Sequence, residues 1–284
     1  MIKLNFTNTR GQSIELYGSP FRLSNFEGLG DVEADIQMQK SPFQDGSTFT
    51  DSLLLERYIK LELKIEGKDE VDLANNRRLL SGIFSPKLGP GILQYTDESG
   101  SKQIYAVAEG VPTYPDGSTN RGRTFQKALL FLVCPNPYWQ DINPIVTKLQ
   151  DFVGNFFFPI SFPASFSIRG DEKNLLNEGH APTPIKVTFR GEAVNPMITK
   201  VSTGEFIRIN RTIPAEHSLV ITTDFDYRTV RIVDPYGNEK NAMGYIDLDG
   251  TFFSLDVGEN NLKFITSGGN PEVFIEYRNL YLGV

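Results

Sequence analysis

Cysteine is nearly absent: Cys134 is the only one in 284 residues. A single thiol excludes an internal disulfide and any cysteine-built metal centre. Histidine is almost as scarce. His180 and His217 stand alone, without the neighbour two to four residues away that a metal site or an activated nucleophile needs. No apolar run approaches the ~18 residues of a membrane-spanning helix. The N-terminus, MIKLNFTNTRGQSIEL, has no continuous apolar core and no small-residue cleavage site, so no secretory signal is expected and a reducing compartment such as a bacterial cytoplasm suits the chain. Basic runs are missing too. With 28 Lys and Arg against 35 Asp and Glu, the net charge of −7 argues against nucleic-acid binding, which draws most of its affinity from cations set against phosphates.

Catalytic motifs are also lacking. Neither GxxxxGK[ST] nor GxSxG occurs, and Gly28-Leu29-Gly30 has no third glycine and no helix after it, as a dinucleotide fingerprint requires. Asp247-Leu248-Asp249-Gly250 lacks the third acidic position and the closing Glu of a calcium loop and reads as a turn capped by its own carboxylate. The expectation is a chain without cofactor, metal or catalytic constellation, hence not an enzyme. Aromatics of the second half, Phe206, Phe225, Tyr227, Tyr236 and Tyr245, are the residues from which a sugar platform could be built; core packing is the commoner use of such side chains.

What the chain does have is glycine (25), proline (17) and phenylalanine (21), the composition of turn-rich β structure. KLNF (3–6) and SIELYG (13–18) alternate around TRGQ as a hairpin. Val32, Ala34, Ile36 and Met38 alternate as a half-buried strand, and Asp45-Gly46 marks a turn after it. In RYIKLELKIEG (57–67), Ile59, Leu61, Leu63 and Ile65 share one face, opposite Tyr58, Lys60, Glu62 and Lys64. One helix is expected, over 69–84, with acidic residues at its start, Arg77 and Arg78 further on, and Leu73, Leu79, Leu80, Ile83 and Phe84 toward the core. The second half holds only short strands between turn signals, the pattern of a β-sandwich.

LFLVCPNPYWQD (130–141) divides the chain. Five apolar residues run as a buried strand into Pro135 and Pro137, which cannot continue it because each lacks a ladder donor. Two domains are therefore expected, 1–140 and 141–284. Tyr138 and Trp139 pack either across the junction or on the first core alone.

The order of these signals resembles the siphophage distal tail protein (Dit) family. GLGDVEADIQMQKSPFQDGSTFTDSLLLERYIKLELKIEG (28–67) is similar to the family's Gly-rich entry, DG turn and alternating strand; the helix carrying Asn75-Asn76-Arg77-Arg78-Leu79-Leu80 and the closing CPNPYW (134–139) follow in place. NEGHAPTPIKVTFRGEAVNPMI (177–198), GENNLKFI (258–265) and IEYRNLYLGV (275–284) resemble motifs of its second half. The resemblance implies a mainly β protein: an N-terminal β-sandwich or barrel-like domain with one α-helix, which forms a ring, and a C-terminal galectin-like β-sandwich. It implies a structural subunit of a phage or prophage tail tip and baseplate, a homohexameric hub between the tail tube protein and the tail-tip (Tal) protein, with receptor-binding proteins as further partners in some members. The alternative is a module binding host cell-wall carbohydrate through the galectin-like domain; no insertion here is long enough to be an added sugar-binding module. For a ring subunit the candidate interface residues are Arg77 and Arg78 on the helix, Asp45 and Thr48 in loop 41–52, and Asp116 and Asn120 in loop 112–123.

Overall fold

The computed structural model describes residues 2–149 and 171–284. The chain forms two compact units: Met1–Ile142 together with Tyr281–Val284, and Asn143–Leu280. The C-terminal tail departs from the sequence expectation, since residues 281–284 belong with the first unit rather than the second.

The first unit is a closed antiparallel barrel with one helix. Its strands run Lys3–Thr7, Gly91–Asp97, Gly100–Ala108, Phe125–Cys134, Arg57–Glu66 and Phe21–Glu27 in spatial order. The segment 13–18 joins the two ends. Its first half pairs with Lys3–Thr7 and its second half with Phe21–Glu27. Between them, the Leu16 N–H donates to the Leu4 carbonyl at 2.8 Å, and the Leu16 carbonyl accepts from Leu23 at 2.9 Å. Closure removes the open edges that a flat sheet would leave.

The alternation in Arg57–Glu66 has its expected effect. Ile59, Leu61, Leu63 and Ile65 are buried. They meet Leu130, Leu132 and Ala128 of the neighbouring strand in one core. The helix Glu70–Ile83 is capped by Asp69, whose side chain accepts from the Asp72 N–H, and it buries Leu73, Leu80 and Ile83 against the barrel. Just past it, Phe84 stacks on Phe6 with ring centroids 4.4 Å apart. Leu79 points outward and is exposed, contrary to its expected place beside the core.

The question raised by CPNPYW resolves in the first core. Trp139 is fully buried there, and its indole N–H donates to the Leu29 carbonyl at 2.9 Å. The same carbonyl belongs to an unusual cluster. Arg57 is 1% exposed and forms no ion pair among the described residues, the Asp31 carboxylate acting on it only through space. Its guanidinium donates instead to the backbone carbonyls of Pro137 (2.9 Å), Gly28 (3.0 Å), Leu29 (3.1 Å) and Asp31 (2.7 Å), and to that of Leu282. One side chain thus ties together the Gly28–Asp31 loop, the proline junction and the C-terminal tail. Gly28 is required for this: at φ +87° a side-chain Cβ would lie 1.9 Å from the Tyr58 carbonyl oxygen. Tyr281 anchors the tail further, with Lys102 4.0 Å from its ring centroid and Asp141 accepting from its hydroxyl at 3.4 Å.

The second unit is a β-sandwich. A six-stranded sheet runs Ile145–Lys148, Glu272–Tyr277, Ile185–Arg190, Ser218–Thr222, Thr229–Val233 and Glu239–Asn241; a four-stranded sheet runs Asp171–Asn177, Gly258–Ile265, Met197–Lys200 and Phe206–Arg208. Ile185, Val187 and Phe189 of the first meet Ile198, Leu262 and Phe264 of the second, with Phe189 and Phe264 edge to face at 6.3 Å. The turn expected at Asp247 is present: its carboxylate accepts from Asp249 N–H at 3.2 Å, and its carbonyl from Gly250 N–H at 3.1 Å.

Two outcomes follow for the first unit, read through the emission of Trp139, the chain's single tryptophan. Arg57→Met leaves several buried carbonyls without a donor and should cost on the order of 3–5 kcal/mol in urea unfolding; a loss below about 1 kcal/mol would show that the cluster carries little. Burial pushes the Cys134 thiol up to about 12 against the partial opposing effect of Arg57. The unfolded chain ionises this thiol nearer 8.5. Its contribution should be intact below that pH and be lost as pH rises toward 12. Cys134→Ala should therefore show a shallower loss of stability between pH 8 and 10.5; equal slopes would contradict the assignment.

Candidate assembly surface

Two features of the first unit stand out from its packed body. The first is a cleft beside the helix. Arg77 leaves the helix half-buried, with its guanidinium 4.8 Å from the Tyr114 ring centroid. The Tyr114 hydroxyl donates to the Arg77 carbonyl at 2.9 Å and lies 2.8 Å from the Ser81 hydroxyl, so loop and helix are locked together. The buried Gln126 holds the loop from below, donating to the Pro115 carbonyl at 2.8 Å and the Asn120 carbonyl at 3.3 Å. Asn120 in turn donates to the Asp116 carbonyl at 2.9 Å. Between helix and loop lies an open cleft of about 570 Å³, lined by Glu70, Leu73, Ala74, Arg77, Arg121 and Arg123 among others. Arg121 pairs with Asp116 at 3.6 Å and Arg123 with Glu70 at 3.3 Å. The Arg77 Nε–H is buried and has no acceptor.

The second feature is a two-stranded hairpin, Ala34–Gln39 paired with Thr48–Leu54 and joined to no other strand. The half-buried strand expected around Ile36 and Met38 is instead exposed along its whole length. The alternation is real, but none of the described residues covers it. The register sets Met38 opposite Phe49, Ile36 opposite Ser52 and Ala34 opposite Leu54, so one face is largely apolar. Met38 is 62% and Phe49 61% exposed. The other face carries Asp35, Gln37 and Gln39 opposite Leu53, Asp51 and Thr48, so it is polar apart from Leu53. At the tip Phe43 adopts φ 66°, a conformation usually left to glycine or asparagine, with its side chain wholly exposed. The Gln44 side chain accepts from Ser41 N–H at 3.1 Å and donates to the Thr48 hydroxyl at 3.0 Å, which keeps the tip in shape. An isolated hairpin is marginal in water, and a contiguous exposed apolar face marks an interaction surface.

Of the residues singled out by sequence, Arg77 lines the cleft, while Asp116 and Asn120 lie in the loop beside it, Asp116 paired with the lining Arg121. Asp45 and Thr48 lie on the hairpin instead, at its tip and in its second strand. Arg78 is exposed and does not line the cleft. Sequence reasoning missed Arg121, Arg123 and the apolar hairpin face. Period-two alternation signals a face without saying what covers it. In the second unit, Phe225 and Tyr236 are 82% and 89% exposed. Among the described residues no group of three or more His, Cys, Asp or Glu could hold a metal ion, and no helix is long and apolar enough to cross a membrane.

Comparison with known proteins bears on both units. Residues 9–134 match the family model described as phage tail protein RIFT-related domain. Residues 178–281 match that of the siphovirus-type tail component, C-terminal domain. Among solved structures, the chain is similar to the Dit protein of phage SPP1, described as a paradigm of the hub adsorption apparatus in phages infecting Gram-positive bacteria. The two are 15% identical over 99% of this chain and 100% of that one, with a TM-score of 0.72. It is also similar to chains of the phage P2 baseplate in its activated conformation. The calcium form gives 10% identity and a TM-score of 0.58, the strontium form 9% and 0.56, each covering 100% of both chains. No curated protein matches the chain.

Because Met38 and Phe49 are largely exposed among the described residues, the double substitution Met38→Ser and Phe49→Ser should leave urea unfolding, followed by Trp139 emission in dilute protein, within about 0.5 kcal/mol. A loss above about 2 kcal/mol would show that the face is packed on the body after all.

Proposed function

From the premise that this chain belongs to the siphophage distal tail protein family, we propose that it assembles as a homohexameric ring, a hub joining the tail tube to the tail-tip and host-adhesion proteins. The role as a structural component of the phage tail and baseplate rests on the two tail-component domains, matched in order along one chain. The observation that carries the ring is the hairpin 34–54. If its exposed apolar face seats on a different patch of a second copy, the contact joins two unlike surfaces. Contacts of that kind generate closed rings when the rotation between copies closes, and open filaments when it does not. The family resemblance supplies the number six.

Such a subunit works by positioning its partners, and no step of its function asks for a catalytic group. Its proposed neighbours are the tail tube protein on one side of the ring and the tail-tip (Tal) protein on the other, with receptor-binding proteins attached at the periphery.

Light scattering behind a sizing column, over a range of concentrations, tests the ring. The expected species has a mass of about 191 kDa, six times the 31.9 kDa chain. A monomer at every concentration, or an unbounded series of sizes, would contradict a ring closed by the chain itself.

A further inference from the structure

We propose that the two outlying features of the first unit are the two sides of one contact: the acidic hairpin of one copy docks at the arginine-lined cleft of the next. The inference rests on the ring reading above and specifies which surfaces meet.

Charge is the argument. The hairpin carries Asp35, Asp45 and Asp51 against one cation, Lys40. Among the described residues Asp35 and Asp45 form no ion pair, and the Asp51 carboxylate accepts the neighbouring Ser52 N–H at 2.8 Å. The cleft has the opposite balance, with Arg77, Arg121 and Arg123 against Glu70 in its lining and Asp116 beside it. Its internal pairs are weak ones. Arg121–Asp116 is 57% and 88% exposed, and Arg123–Glu70 is 90% and 68% exposed, so solvent screens both and their arginines can take new partners at little cost. Arg77 is different: its guanidinium lies 4.8 Å from the Tyr114 ring centroid and its Nε–H is buried, so a partner would meet only its terminal nitrogens. A planar guanidinium fixed in this way suits a carboxylate, which it can bind through two parallel hydrogen bonds.

The acceptor and the arm belong to the same unit but do not satisfy each other there. Each hairpin therefore has a cleft available only on another copy, and each cleft a hairpin. This is the head-to-tail arrangement that a ring requires. The polar face of the hairpin, with Asp35 and Asp51, and the tip, with Asp45, would supply the carboxylates.

Charge reversal tests the pairing on both sides, using exposed positions that do not support the fold. Asp45→Arg with Asp51→Arg changes the hairpin. Arg121→Glu with Arg123→Glu changes the cleft and leaves Arg77 on Tyr114. Either pair alone should raise the concentration needed for half-assembly at least ~10-fold, equivalent to about 1.4 kcal/mol. Combining all four should recover assembly to within ~3-fold of the native chain. Trp139 emission checks that each variant is folded. If the native chain forms rings and the reversed pairs assemble equally well, or the combined variant shows no recovery, the pairing is wrong and the ring reading stands; the cleft would then be left to an acidic partner other than this chain. If the native chain never assembles, the ring reading falls and this inference with it.

Discussion

A buried guanidinium held by backbone carbonyls alone is the constraint on which the first unit depends. Arg57 sits at the start of the most regular strand of the barrel, on the same face as Ile59, Leu61, Leu63 and Ile65, where an apolar residue would continue the pattern. A charge there is tolerable only if its donors are saturated. The carbonyls of Gly28, Leu29, Asp31, Pro137 and Leu282 do this, and in return three stretches far apart in sequence acquire fixed positions. The abrupt ending of a strand in Pro-Asn-Pro follows from the same arrangement. The chain must turn there so that Pro137 can face Arg57 and Trp139 can enter the core.

Much of the fold was legible because its signals are local. Alternation over 57–67 gave one buried and one exposed face, and the acidic start of 69–84 gave a capped helix. The missing donors of Pro135 and Pro137 marked the end of the first barrel's last strand. What escaped the sequence is what depends on distant partners. The partners of Arg57 could not be read from the sequence, because nothing in its neighbourhood announces the carbonyls it collects. The tail 281–284 looked like the end of the second domain. Leu79 sits among apolar helix residues yet points outward, since three buried positions already fill the barrel-facing side.

The hairpin 34–54 marks the limit of pattern reading most clearly. Ile36 and Met38 have the spacing of a strand with one covered face, and in the isolated chain that face is bare. The barrel strands gain roughly 1.5–3 kcal/mol for each large apolar side chain they bury; the hairpin gains almost none of this from its own chain. An element with so little to hold it, yet with a defined register and a braced tip, makes physical sense as half of an interface. The sequence put Arg77 on the helix that lines the cleft, Asp116 and Asn120 in the loop beside it, and Asp45 and Thr48 on the hairpin, but the arrangement as two separate surfaces emerges only from the fold.

The central claim is that the hairpin is completed by a second copy of the chain. Hydrogen exchange of the amides in 34–54, followed across protein concentration, addresses it most directly. The account predicts rapid exchange in dilute monomer and strong protection that rises in step with assembly, while the barrel strands stay protected throughout. Hairpin amides that exchange equally fast in monomer and assembly would contradict it.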